Sequence, residues 1–270
     1  ETDPGYPTYR SLSTLLGATV IDYNLKEENN WQLDFDELEQ LVSPKTKLIW
    51  VNYPHMPTGA PADYKKLEQL IIFAKKHDIL VCHDNPYSLV LNTEQPQSIF
   101  QLKGAKEVAI EFNSLSKSHN VAGWRLGMIL GEEKTIKNLL RVKSNIDSGI
   151  FKGIQEAAIE ALNLPPSWHD GRNTTYKERQ YWVFKIYDFL HIDYDNNQLG
   201  MFVWGKPSQK SPACNIDNFI EDALQNLHIF FTPGKIFGSN GDKYIRASLC
   251  VSLADIKLAY KRLRSHYVDK

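Results

Sequence analysis

The chain has 270 residues, 42% hydrophobic and 23% charged, the composition of a globular protein able to bury a sizeable core. Its 31 basic and 32 acidic residues leave a net charge of −1, and the basic ones are dispersed, so nothing favours a nucleic acid or an anionic membrane surface as partner. No apolar run approaches the ~18 residues that cross a bilayer, and three scattered cysteines, Cys82, Cys214 and Cys250, form neither a disulfide framework nor a metal-ligand set. The chain therefore reads as soluble and cytoplasmic.

In chain order, the first residues lack the basic and apolar regions of a signal peptide. They open without an initiator Met, inside the turn-rich segment Asp3-Pro4-Gly5-Tyr6-Pro7. A strand is predicted over 47–52, ending in the turn-rich Tyr53-Pro54-His55-Met56-Pro57-Thr58-Gly59. The next segment has Leu67, Leu70, Ile71 and Ala74 at helical spacing. It gives way near His77-Asp78 to a strand over 79–83, followed by Asp84-Asn85-Pro86-Tyr87. Further strands are predicted over 107–112 and 126–130. This alternation of apolar runs and helical patterns marks βαβ units and a mainly parallel sheet. From 132 to about 164 the pattern is helical, broken around 147–150. Pro165-Pro166 then suggests passage from a large domain (1–164) to a small α+β domain (165–270). In the latter, helices are expected over 173–190, over 216–227 and from Ser252 onward, with strands over 201–204, 229–231 and 244–249. The aromatic residues at helical spacing within 173–190 read as core packing. Ligands in such sheets bind beyond the strand ends, and Asn52, Asp84 and Lys117 all fall there.

Lys117 lies in Ser114-Leu-Ser-Lys-Ser-His-Asn-Val-Ala-Gly-Trp-Arg-Leu-Gly127, after an apolar strand and eight residues before Arg125. A lysine beside a cavity can form a Schiff base with an aldehyde, and an arginine fork suits a phosphate. The run resembles the cofactor-lysine signature of fold type I pyridoxal phosphate (PLP) enzymes, specifically the class I/II aminotransferases. The likeness covers about residues 3 to 265. It implies an α/β, PLP-dependent transferase-like fold and an aminotransferase that holds PLP through Lys117 as an internal aldimine.

The resemblance further implies that Asp84 faces the pyridine nitrogen, that Tyr87 approaches the ring oxygen, and that Tyr6 stacks on the ring. By residue chemistry alone Asp84 also reads as a helix cap, Tyr87 as a core tyrosine and Tyr6 as a turn tyrosine. Ser114, Ser116 and Arg125 are the phosphate candidates. Arg246, in Tyr244-Ile-Arg-Ala-Ser-Leu249, corresponds to the clamp for the substrate α-carboxylate; the other reading is a structural salt bridge. The family pattern Asn-x-Pro-x-Asn-Pro-Thr-Gly is matched at Asn52, Pro54, Pro57, Thr58 and Gly59, but Met56 replaces the second Asn, and a thioether has no N–H to donate. Asn52 itself reads as a turn builder.

The implied partners are an amino acid, a 2-oxo acid and a second copy of the chain. No metal is expected. The resemblance also implies a further N-terminal portion with a Gly/Ser phosphate-binding loop and dimer contacts. A PLP-dependent carbon–sulfur lyase and a non-catalytic, aminotransferase-like ligand-sensing domain remain as alternatives.

Overall fold

The computed structural model describes residues 1–268; positions 269 and 270, the end of the expected small domain, lie outside them. The short strands β1 (Thr2–Asp3) and β2 (Tyr23–Asn24) pair in parallel around helix α1 (Pro7–Leu15), which has Pro7 in its first turn. Helix α2 (Phe35–Leu41) is capped by Asp34, whose carboxylate accepts from the amides of Asp36 and Glu37. Strand β3 (Leu48–Asn52) lies where predicted. Helix α3 (Tyr64–His77) buries Leu67, Leu70, Ile71 and Ala74, as their spacing requires. Asp63 caps its start, and Asp78, with φ +54°, turns the chain into β4 (Leu80–Asp84).

The predicted strand over 107–112 is shifted. Gly104, at φ +82°, starts a single helical turn, α4 (Ala105–Val108), in which Glu107 reaches back to Lys75 of α3 at 2.9 Å. The strand β5 therefore runs Ala109–Ser114. One more helical turn, α5 (Leu115–Ser118), follows, then β6 (Gly127–Gly131). Helices α6 (Glu133–Ile146) and α7 (Lys152–Leu162) flank the expected break.

The long helix α8 (Pro166–Phe189) starts seven residues before the predicted position. Pro166 is itself the first helical residue, where its missing N–H costs nothing, so the proline pair opens the helix rather than a linker. Then come β7 (Ile192–Tyr194), β8 (Phe202–Pro207), α9 (Ile216–Leu227), β9 (Thr232–Pro233), β10 (Ile245–Ser248) and α10 (Leu253–Tyr267), the last capped by Ser252. Residues 229–231 are not a strand. The pairing partner β10 meets Thr232 and Pro233 instead, while Phe231 turns into the core.

One sheet has the order β3-β4-β5-β6, parallel except for β6; the other, β7-β8-β10-β9, is antiparallel throughout. The architecture is α/β, mostly parallel in the first sheet, with a smaller antiparallel sheet after α8. Each sheet has its own apolar cluster: Leu67, Leu70, Ile71 and Val81 belong to the first, Tyr187, Val203, Ile245 and Leu249 to the second. Met56, Tyr87, Val90 and Leu91 join the second cluster although they follow β3 and β4. The segments around the first sheet's strand ends thus pack on the second unit. Among the described residues no helix is long and apolar enough to cross a membrane.

Candidate active site

Because β3, β4 and β5 are parallel, their C-terminal ends share one rim, and antiparallel β6 begins there: Asn52 is level with Asp84, Asp84 with Phe112, and Ser114 with Gly127. Asn52 spends its side chain on the backbone. Its amide donates to the Asp84 carbonyl at 2.7 Å and its Oδ1 accepts from Met56 N at 2.8 Å. It builds the turn, as expected.

The Asp84 carboxylate is half-buried at the end of β4. Burial raises its pKa, and the Tyr9 hydroxyl and the His83 charge oppose that rise. Tyr9 donates to Asp84 Oδ2 at 2.5 Å. The Tyr9 ring is only 6% exposed, stacks on Trp50 at 4.5 Å and 6°, and meets Tyr6 edge-on at 5.6 Å. Sequence reasoning missed Tyr9. The available signal was its position three residues after Tyr6 on a helix opened by Pro7, which brings the two rings to one face. Tyr6 is 45% exposed, its ring packed edge-on against Tyr9.

Tyr87 is buried, with Phe202 edge-on at 6.3 Å. Burial and the nearby Asp84 charge push its phenol well above the usual range, against a lowering from Arg246, so it stays protonated at neutral pH. Arg246, on β10, has its guanidinium 3.9 Å from the Phe202 ring centre and 4.6 Å from that of Phe237. Its Nη1 lies 3.3 Å from Met56 Sδ, and its Nε is buried without a partner. Burial lowers its pKa, while Tyr87 and Tyr187 raise it. No carboxylate pairs with Arg246 among the described residues, which removes the salt-bridge reading.

Lys117 lies on the one-turn helix α5, half-buried, and its amine has no hydrogen bond or ion pair among the described residues. The hydroxyls around it hold the turn. Ser114 Oγ accepts from Ser116 N at 3.2 Å and reaches the Leu126 carbonyl at 3.4 Å, and Ser118 Oγ donates to the Ser114 carbonyl at 3.0 Å. Ser116 is buried. Arg125, in the left-handed region at φ +53°, is exposed and donates to the Ala122 carbonyl of its own turn at 3.0 Å. Tyr87, Arg246 and Met56 therefore converge, as do Asp84 and Tyr9, and the serines share the turn that bears Lys117, while the Arg125 guanidinium bonds its own turn. A cavity of about 540 Å³ elsewhere, lined by Val20, Leu38, Leu48 and Trp50 among others, includes none of the predicted site residues.

The family model for aminotransferase class I and II matches residues 2–263. LL-diaminopimelate aminotransferase of Halothermothrix orenii is 39% identical over 97% of this chain and 67% of its own length. That of Aquifex aeolicus is 37% identical with the same coverage. Among solved structures, BacF of Bacillus subtilis superimposes with a TM-score of 0.90 at 32% identity, over 98% of this chain and 67% of its own. The chain spans about two thirds of the length of these proteins. A family match over nearly the whole chain decides for amino transfer over lyase chemistry or a ligand sensor: the chain belongs to the class I and II aminotransferases, PLP-dependent enzymes that move amino groups from amino acids to 2-oxo acids.

Proposed function

We propose that Lys117 is the cofactor-bearing and proton-moving residue of this aminotransferase, with Asp84, Tyr87 and Arg246 around it. The observation that carries this reading is a pair of unmatched cationic side chains. Among the described residues the Lys117 amine has no hydrogen-bond or ion-pair partner, and the Arg246 guanidinium is largely buried with an orphaned Nε and no acid. Such a guanidinium is costly unless an anion completes it. The residues present fit PLP on the same grounds: an amine without a partner among the described residues for the aldehyde, and a strand-end carboxylate whose Oδ2 is engaged by Tyr9. Ser114, Ser116 and Arg125 are the groups proposed to hold the phosphate, and Tyr6 the ring face.

Bound PLP supplies an electron sink for the negative charge that develops at the substrate Cα. The chain's own residues do the rest. Arg246 receives the α-carboxylate on its fork and fixes which Cα–H faces the amine. Lys117 Nζ, placed by α5, takes that proton, a general-base contribution of roughly 10²–10⁴ in rate. Asp84 Oδ2, held by the Tyr9 hydroxyl, keeps a negative charge where a pyridine nitrogen would need one. Tyr87 keeps its phenolic proton as a donor, and the Phe202 and Phe237 rings exclude water around Arg246.

For the amino donor we propose a diamino dicarboxylate of the diaminopimelate type, supported by the names of relatives at 35–39% identity. A homodimer is supported by unpartnered apolar surface: β6 and α6 contain no buried residue, and Leu140, Val142, Ile146 and Phe151 stand exposed. A large domain over 1–164 and a small one from 165 agree with the two sheets, and dispersed free cysteines agree with the cytoplasm. The test is Lys117→Ala with saturating PLP and a panel of amino donors. The variant should lose the cofactor's visible band and at least 10²-fold in turnover, and LL-diaminopimelate should be the best donor for the parent protein. Retained transamination in Lys117→Ala refutes the assignment of the lysine.

A further inference from the structure

Helix α8 presents one polar stripe to three segments of the active site. Arg172, only 8% exposed, donates through Nη1 to the carbonyl of Ser118, the residue after Lys117 and the last of α5. Through Nη2 it donates to the Leu89 carbonyl, two residues after Tyr87, and to its neighbour Asn173 at 3.0 Å. Asn173 completes that second hold, accepting from Leu91 N at 3.1 Å and donating to the Leu89 carbonyl at 3.2 Å. One turn on, the Tyr176 hydroxyl donates to Asn120 Oδ1 at 2.8 Å. Two turns on, Arg179 donates to the Leu249 carbonyl, three residues past Arg246, at 2.9 Å.

Arg172 is therefore not an ion-pair residue. No carboxylate pairs with it among the described residues, and Trp168, its ring 5.7 Å from the guanidinium carbon, covers one side. Burying a guanidinium against carbonyls alone is expensive. Two main-chain carbonyls, the Asn173 amide oxygen and the Trp168 ring face are the neutral groups that offset the cost here. His119 and His169 pack on the same Trp168 ring, and burial and the Arg172 charge lower the pKa of both, which favours their neutral forms beside the guanidinium.

We infer that Arg172 is a positioning residue: it ties the turn bearing Lys117 to the loop bearing Tyr87 and fixes both to the helix that also holds the Arg246 strand. A side chain that bonds two loops at once sets their separation, whereas separate bonds to each would leave it free. The inference rests on the proposed role of Lys117, and its test keeps the two apart.

The experiment measures hydrogen–deuterium exchange in the cofactor-free full chain, then steady-state kinetics with PLP. Arg172→Met should speed exchange about tenfold in peptides covering 115–122 and 88–92, with a peptide covering β8 unchanged. With PLP, its kcat should fall about tenfold while KM for the amino donor stays within twofold; Arg172→Lys should recover part of both effects. Unchanged exchange in either segment, loss of protection spread equally to β8, or a fall in kcat/KM carried by KM would each overturn the inference. If Arg172→Met does not fold, Tyr176→Phe decides: faster exchange confined to 118–122 supports the tether, and no change rejects it. Lys117→Ala should leave exchange in both segments at the parent rate. Transamination surviving in Lys117→Ala would remove the lysine's role and leave the tether standing.

Discussion

The Tyr9–Asp84 hydrogen bond is the most directly measurable part of the site. Tyr9 is nearly fully buried, stacked on Trp50, and donates to Asp84 Oδ2 at 2.5 Å. Tyr9→Phe keeps the stacked ring and removes only the donor, leaving a half-buried carboxylate with neither oxygen hydrogen-bonded by a side chain or amide of the described residues. A hydrogen bond to a charged group contributes about 1.5–3 kcal/mol. A double-mutant cycle of Tyr9→Phe, Asp84→Asn and the pair should therefore give a coupling energy of about 1.5–3 kcal/mol at pH 7, from urea unfolding of the cofactor-free chain. The sign of the pH dependence follows from Asp84. Its folded pKa lies above the unfolded value, so the ionised form is the disfavoured one in the folded state, and Asp84 destabilises the fold above its folded pKa. That cost disappears as pH falls through the folded pKa towards 3.8. The coupling should shrink over the same descent, because a protonated carboxyl is a poorer acceptor. A coupling below about 0.5 kcal/mol at pH 7, or one indifferent to acid, refutes the account of Tyr9 as the residue that keeps Asp84 charged.

Three further outcomes follow from the same geometry. Arg246→Gln removes the charged fork but keeps a polar side chain against Phe202 and Phe237, and should raise KM for the amino donor roughly 10- to 150-fold through loss of about 1.5–3 kcal/mol, with a smaller change in kcat. Met56→Asn restores a donor beside Arg246 Nη1, and should lower the pH midpoint of the cofactor's visible band by about one to two units in a spectrophotometric titration. An unmoved midpoint separates Met56 from the cofactor. Buried Glu111 accepts from His83 Nδ1 at 3.1 Å and Ile99 N at 2.8 Å. Burial raises its pKa, but the His83 hydrogen bond and charge and the Ile99 amide outweigh that and lower it overall. Its stabilising contribution is therefore complete above 4.5 and lost as pH falls through the lower folded value; Glu111→Gln should flatten acid unfolding in that window.

Much of this was legible in the residues. The stripe of Leu67, Leu70, Ile71 and Ala74 specified α3, and the order of strand ends put Asp84 and Lys117 on one rim. Less legible were the places where a turn residue or a long-range partner overrides a local pattern. The strand expected at 107 starts at Ala109 because Gly104, at φ +82°, opens a helical turn over Ala105–Val108, and the strand expected at 229 moved because β10 sets the register. The Arg125 guanidinium bonds the Ala122 carbonyl of its own turn, a rotamer choice no spacing encodes.

Taken alone, the order of residues determined the α/β class, and its short motifs carried the likeness that pointed to the lysine turn, the strand-end acid and the arginine of β10, because each is written in a short local run. Only the folded chain decided that Tyr9 bonds Asp84 across 75 positions, that Met56 sulfur meets Arg246 across 190, and that Arg172 joins Ser118 to Leu89. The physical reason is that a side chain's own neighbours set its helix or strand preference, whereas its hydrogen-bond partner is chosen by packing between segments far apart in the chain.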